Sequence, residues 1–269
     1  MTTVPDDSHA AADFLGLQPT DDPLRWRLPV TLDVAGATGT LHGGCAIGAA
    51  VAALELSTER PLAAATSQYL ARAPVGEEVE VVLDIYAQGK AMTQAGFTIT
   101  VGDRVVLRGQ ASLGGRDLGV DRTWAVMPDA PPPEDCQPRA MTSITHHSFT
   151  DSSDLRLAGQ TPGHEQVLYW ARVGDGLSGT SPILAALADV LPSGMRVSLD
   201  AGFRGSSLDN TVRIGARHPA EWVLLDLRAT AIHNSIGHGV ARIFAQDGTF
   251  LASGSQSFAI TEITGDLDR

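Results

Sequence analysis

Three polar residues interrupt an otherwise apolar, strand-patterned run over residues 206–258: Asp209, Thr230 and Gln256. They lie in Ser-Ser-Leu-Asp-Asn-Thr, Leu-Arg-Ala-Thr-Ala and Ser-Gly-Ser-Gln-Ser-Phe. A carboxylate, a hydroxyl and an amide at like points of three strands are the parts needed to hold a water. An Asp with an ordinary pKa of about 3.9 is ionised at neutral pH and accepts a proton. Thr and Gln hold the water without adding charge. Taken singly, the three have plainer readings: a turn residue, a strand residue, and an amide satisfying a buried backbone group. Their combination makes them the candidate site. A second feature is Leu41-His42-Gly43-Gly44, where amides at a glycine-led helix start suit an anionic oxygen.

The elements that must position these groups follow from periodicity and turn chemistry. Residues 26–34 alternate as a strand, and 45–55 are Ala-rich and apolar nearly all round, which predicts a buried helix. Strand-like runs follow at 62–73, 77–88, 92–101 and 104–113, separated by Pro74-Val-Gly76 and Gly102-Asp103. Residues 114–145, with three consecutive prolines at 131–133, read as an extended linker. A strand at 164–173 comes next, then a helix at 181–191 with Pro182 in its first turn, ended by Pro192-Ser-Gly194. Strands are expected at 196–200, 206–214, 222–232, 235–245 and 249–260, with Asp247-Gly248 as a hairpin turn.

Strand, buried helix, then long strands therefore occurs twice. Leu83-Asp-Ile matches Leu225-Asp-Leu at an offset of 142, and Gln110 matches Gln256 at 146. The 142 offset sets Ser67 opposite Asp209 and Gln88 opposite Thr230, so the first half keeps an amide and lacks the carboxylate. One site per chain is expected, in the second half. The implied organisation is an arm (1–20), a first unit (21–116), a linker (117–150) and a second unit (151–269). Each unit is an α+β arrangement of one helix on an antiparallel sheet.

Bulk properties narrow the function. Of 269 residues, 43% are hydrophobic, enough for a large core, and the net charge of −12 argues against a nucleic-acid surface. Cys45 and Cys136 alone form no disulfide framework or zinc site. The eight histidines, including His146-His147, His233 and His238, find no spacing that completes a metal set. Gly174-Asp-Gly-Leu-Ser-Gly179 formally matches a dinucleotide fingerprint, but antiparallel strands follow it, so it reads as a turn. No leader pattern opens the chain, and the 45–54 apolar stretch is short of the roughly 20 residues of a spanning helix. A cytoplasmic protein without membrane insertion is expected.

Leu41-His42-Gly43-Gly44, together with Leu208-Asp209, Trp222, Thr230, Asp247-Gly248, Ala252-Ser and Gln256, resembles the type II acyl-CoA thioesterases of tandem (double) hotdog fold. The resemblance covers most of both halves. It implies two helix-on-sheet units sharing one continuous curved sheet, and hydrolysis of an acyl-CoA without cofactor or metal. In that family an Asp, a Thr or Ser, and a Gln orient the attacking water; the match carries those roles onto Asp209, Thr230 and Gln256. His42, Gly43 and Gly44 are then substrate-binding. Ala185-Ala-Leu-Ala-Asp189 resembles the acid-bearing helix of single-hotdog thioesterases, where the position counted from His42 in the first half is Val51; Asp189 is the rival base. The resemblance further implies a homodimer or higher assembly. Two alternatives stand beside hydrolysis: an acyl-CoA hydratase or dehydratase, which needs a converging Asp and His, and a catalytically silent acyl-CoA or lipid-binding module.

Overall fold

The computed structural model describes residues 7–139, 147–160 and 163–264. Residues 1–6 of the expected arm and 140–146 of the expected linker, with His146, lie outside them. The first half contains α1 (Asp7–Leu15), β1 (Gln18–Pro19), β2 (Arg25–Pro29), α2 (Gly43–Thr58), β3 (Leu62–Tyr69), β4 (Glu78–Gln88), β5 (Met92–Val101) and β6 (Arg104–Gly114). The second contains β7 (Gln137–Pro138), α3 (Phe149–Ser152), β8 (Asp154–Gln160), β9 (Gln166–Arg172), α4 (Ser181–Leu187), α5 (Leu191–Leu199), β10 (Gly202–Ile214), β11 (Val223–His233), β12 (Ile236–Ala245) and β13 (Phe250–Thr264).

All thirteen strands join one sheet in the order β1-β2-β4-β5-β6-β3-β10-β13-β12-β11-β9-β8-β7, paired antiparallel throughout. The halves meet where β3 runs beside β10, with Ser67 opposite Asn210 and Thr66 opposite Thr211. At that seam the two threonine hydroxyls lie 3.0 Å apart. The sheet wraps α2 and α4, which explains why every residue from Gly44 to Glu55 is buried. The two helices cross antiparallel through glycines. A Cβ on Gly48 would stand 2.7 Å from the Pro182 carbonyl oxygen, and one on Gly44 would overlap that of Ala186.

Two second-half expectations change. The helix does not end at Pro192: α4 tightens into a 3₁₀ turn over Ala188–Val190, and α5 continues to Leu199 with Pro192 in its first turn. Proline needs no N–H at that position, and the tightened turn removes the clash with the preceding carbonyls. Residues 196–200 are thus the last turn of a helix rather than a strand; Asp200 closes it in the left-handed region at φ 52°. The run Ser181–Leu199 is long and apolar enough to cross a membrane, but 67% of it is buried inside the protein, where it serves as a core helix. The strand β8 was not expected.

The register defines the internal duplication. In the first half Leu62 pairs with Leu113 and Ala64 with Ser112, leaving Ala63 as an extra residue. In the second half Ser207 pairs with Phe258 and Asp209 with Ser257, leaving Leu208 extra. The same bulge recurs at an offset of 145. This corrects the offset of 142 at these strands: Ala64 is the counterpart of Asp209, and Ala111, not Gln110, is the counterpart of Gln256. The helices match at 138, with His42 and Thr180 both at N-cap positions.

Candidate active site

The bulge at Leu208 decides which second-half side chains point inward. In a regular strand Ser207 and Asp209 would share a face; one extra residue reverses the phase. Ser207 and Asn210 therefore face the helices, Asn210 fully buried, while Asp209 faces outward. There its Oδ1 accepts the Ser257 N–H at 2.6 Å. Thr230 is exposed and is itself the extra residue of a bulge between Ala229 and Ala231, with β12 between its strand and β13. Of the three residues expected together, only Gln256 is buried on the inner face, at 2% exposure. Asp209 and Thr230 are not brought to it.

Asp189 is. The 3₁₀ turn between α4 and α5 presents it to β13 and β10. Gln256 Nε2 donates to Asp189 Oδ1 and to Ser207 Oγ (2.9 Å), and Ser207 Oγ donates more weakly to Asp189 Oδ1 (3.4 Å). This carboxylate, hydroxyl and amide form one connected group. The Gln256 orientation is fixed by chemistry, because the flipped amide would set its oxygen against the carboxylate. With the nitrogen so engaged, Gln256 Oε1 is buried and has no partner.

The start of α2 supplies the other wall. The first intrahelical bond runs from the Ala46 N–H to the His42 carbonyl, so the amides ahead of it have no helical acceptor. The Gly44 N–H donates to Asp189. A Cβ on Gly43 would come within 2.7 Å of Asp189 Oδ2 and 2.8 Å of the Tyr69 ring, so glycine is needed for this approach. His42 Nε2 lies 3.8 Å from Asp189 Oδ2, its ring against Phe149, and its Nδ1 is buried without a partner.

Burial dominates the electrostatics. Loss of solvation pushes Asp189 up from 3.8 to about 7, against the lowering effect of the Gly44, Ser207 and Gln256 hydrogen bonds. Burial, with the Arg139 charge second, pushes His42 down to about 4. The two face each other at neutral pH as a half-ionised acid and a neutral imidazole, not as an ion pair. The arrangement accepts a proton near neutrality in a water-poor site lined by oriented donors.

Signals for two of these residues were present in the sequence. Asp189 stood as the rival base, and Ser207 lies two residues before Asp209 in the same run. The bulge between them carries no sequence signal strong enough to be read. In the first half, Val51, Leu62 and Ala111 occupy the places of Asp189, Ser207 and Gln256, and Pro182 takes the place of Gly44.

The model of the acyl-CoA thioesterase N-terminal domain matches residues 32–114, and that of the C-terminal domain matches 125–260. A solved chain from Novosphingobium aromaticivorans, provisionally described as a thioesterase, is 27% identical with a TM-score of 0.83, covering 91% of this chain and 98% of that one. A hot dog fold protein from Alicyclobacillus acidocaldarius is 21% identical at TM-score 0.81, covering 94% and 98%. An acyl-CoA thioesterase II from Mycobacterium marinum is 18% identical at TM-score 0.75, covering 93% and 98%. Comparison with proteins of curated function gives no match. The fold is the expected double hotdog, and the chain belongs to the acyl-CoA thioesterase family, a family of thioester hydrolases, with its N- and C-terminal domains in order.

Proposed function

We propose that the protein hydrolyses acyl-CoA to free acid and CoA with Asp189 as general base, and Gln256 and Ser207 as the groups that position Asp189 and the water. The carrying observation is the buried, unpartnered Gln256 Oε1 beside a carboxylate of pKa about 7. A water bridging them gives one proton to Asp189 and the other, as a hydrogen bond, to Gln256 Oε1. Its oxygen attacks the thioester carbon, and the oxyanion is met by amides at the α2 N-terminus. Collapse breaks the C–S bond, and the proton on Asp189 passes to the departing CoA sulfur. His42, Gly43 and Gly44 line the substrate side of this site.

Thiol release from a panel of acyl-CoAs, by the parent protein and by Asp189→Asn, tests the reading. Loss of about 10²–10⁴-fold in turnover is expected. Undiminished hydrolysis by Asp189→Asn would return the base role to Asp209, whereas binding of CoA without any hydrolysis would favour the silent module. The hydratase or dehydratase reading keeps one specific support, the 3.8 Å approach of His42 to Asp189; loss of water from a 3-hydroxyacyl-CoA to give an enoyl thioester, without free thiol, would establish it. A homodimer or higher assembly and a cytoplasmic setting complete the proposal.

A further inference from the structure

Ten consecutive residues after β6, 115–124, are exposed, and four large apolar side chains stand in water along this part of the linker. Leu118, Val120, Trp124 and Val126 are 75–87% exposed. Contiguous apolar patches beyond roughly a few hundred Å² are uncommon on monomers and mark docking surfaces. The Trp124 ring alone brings roughly 150–250 Å². Just downstream, Ala125, Met127 and Ala130 pack on Trp170, Leu224 and Phe244, an apolar patch on the outer face of the second unit. That patch is filled by the downstream stretch, and the upstream stretch has no such cover in its own chain.

The outer face of the first unit has a hollow. A cavity of about 520 Å³ there is lined by Tyr86, Arg108, Thr66, Thr98, Gln68 and Gln110, among others. Thr66, Arg108 and Gln110 alternate with the core residues Ala65, Leu107 and Ala111, so they point away from the helices. Tyr86 is the extra residue of a bulge in β4 and lies across β5, where a Cβ on Gly96 would overlap its hydroxyl. It is 57% exposed. Among the described residues of the lining, Arg108 is the one charged group.

We propose that the linker segment 115–126 of a second copy covers this face, with Trp124 of the partner subunit seated in the cavity between Tyr86 and Arg108. Knob and hollow lie on the outer face of one chain, so a twofold axis satisfies both, each copy giving one segment and receiving one. Trp, Tyr and Arg are the side chains that most often carry binding energy at interfaces. The indole face suits the guanidinium, and its N–H has the Gln68 and Gln110 amide oxygens as acceptors. Charge favours a second copy as the occupant. The chain carries −12 overall, which holds two copies apart. The segment itself is neutral, Arg116 and Arg122 balancing Asp117 and Asp121, and the lining offers it a cation and no carboxylate. Asp121 thereby gains Arg108 as a counter-charge. Asp117 and Asp121 interleave with the apolar residues, which weighs against a lipid surface. Given twice, the segment and the face it covers are of the order of a standard interface, about 800 Å² from each copy.

This contact deepens the proposed homodimer and rests on it, and the test separates the two. Sedimentation velocity over a micromolar concentration series is run on the parent, Trp124→Ser and Arg108→Glu. Both side chains are exposed, and each variant is checked for an unchanged melting profile. The parent should sediment as a dimer or a multiple of one, and each variant should weaken association by about tenfold or more. Mixing the two variants should restore association above either alone, because the intact knob of Arg108→Glu meets the intact hollow of Trp124→Ser. A parent that stays monomeric ends both the assembly and the contact. An assembly indifferent to either substitution keeps the homodimer and overturns the contact, as does a mixture no stronger than its components. A monomeric parent that pellets with phosphatidylcholine vesicles through Trp124 gives the segment to a lipid surface and overturns it too.

Discussion

Replacing Asp189 with Asn should lower activity and, above the raised carboxyl pKa of about 7, increase stability, so the second effect has a pH signature. The carboxyl is raised from 3.8 to about 7 by burial. Between those values the folded protein holds a proton that the unfolded chain has released, so stability falls as pH rises through this window and levels off above it. Each unit is worth about 1.4 kcal/mol, giving a loss of roughly 2–3 kcal/mol between about pH 5 and about pH 8. Asparagine does not titrate. Its amide meets the Gly44 N–H less well than a carboxylate does, a cost of about 1 kcal/mol that does not depend on pH. Denaturant unfolding of Asp189→Asn and parent at the two pH values should therefore show the variant gaining about 2–3 kcal/mol relative to the parent as pH rises. Over the same range the kcat/KM of the parent should rise with an apparent pKa near 7. Parallel stability curves would refute the argument, because the carboxylate would then titrate alike in both states. A rate profile flat down to about pH 5 would refute it from the other side.

Gln256→Ala and Ser207→Ala should each lower turnover by about 10–10³-fold, with the larger loss at Gln256, since only its amide touches both the carboxylate and the proposed water; steady-state rates check this. Asp209→Asn keeps the acceptor for the Ser257 N–H, and Thr230→Val changes an exposed bulge residue, so both should stay within a few-fold of parent turnover and about 1 kcal/mol of parent stability. Gly44→Ala drives a methyl into the Ala186 carbonyl and should cost at least about 3 kcal/mol in denaturant unfolding, because the obstruction is backbone. Asp226 is fully buried and accepts hydrogen bonds from Gln166 (2.8 Å), Arg228 (3.2 Å) and Arg242 (2.9 Å); both arginines are about one-third exposed and keep water when Asp226→Ala removes the acceptor, so the change should cost about 1–3 kcal/mol, read as a lower melting temperature.

Features that depend on composition or on one turn could be read from the chain. The first core helix is apolar on every side, and Gly102-Asp103 and Asp247-Gly248 left little freedom in how the neighbouring strands connect. The second helix was harder to place, because Pro192 ends a helix in one context and begins a new segment in another. The 3₁₀ turn at Ala188–Val190 that selects between them depends on packing against β10 and β13. The strand β8 alternates only over Asp154-Leu155-Arg156-Leu157, where the two charges pair at 2.9 Å on one face, before Ala158-Gly159 breaks the pattern, too short a run to mark a strand. Asp209 is parted from Gln256 by the bulge at Leu208, and Thr230 by its own bulge and by the intervening β12. A hydroxyl, a carboxylate and an amide were chosen for matching positions along regular strands, and the extra residue Leu208 turned Asp209 to the opposite face. A single bulge exchanges every side chain beyond it, so an assignment that ignores it fails even when each residue type is right.

The same bulge is present in both halves, so bulge geometry alone does not account for the polar network found in the second half only among the described residues. What differs is the chemistry placed on it. Where the second half has Asp189, Ser207 and Gln256, the first has Val51, Leu62 and Ala111, three apolar groups that pack without needing partners. Where α2 offers the Gly44 N–H, α4 offers Pro182, which has none. The first-half set is internally consistent as core, and the second-half set is consistent as a polar network in which only the water-side acceptor is left open. Mixing them would not be: a carboxylate at Val51 would be buried with no donor from Leu62, Ala111 or Pro182, at several kcal/mol. Fusing two hotdog units into one chain lets one half settle into apolar packing while the other holds the polar network. Because the helices interlock through Gly44 and Gly48, the first half also furnishes the helix start against which Asp189 is held.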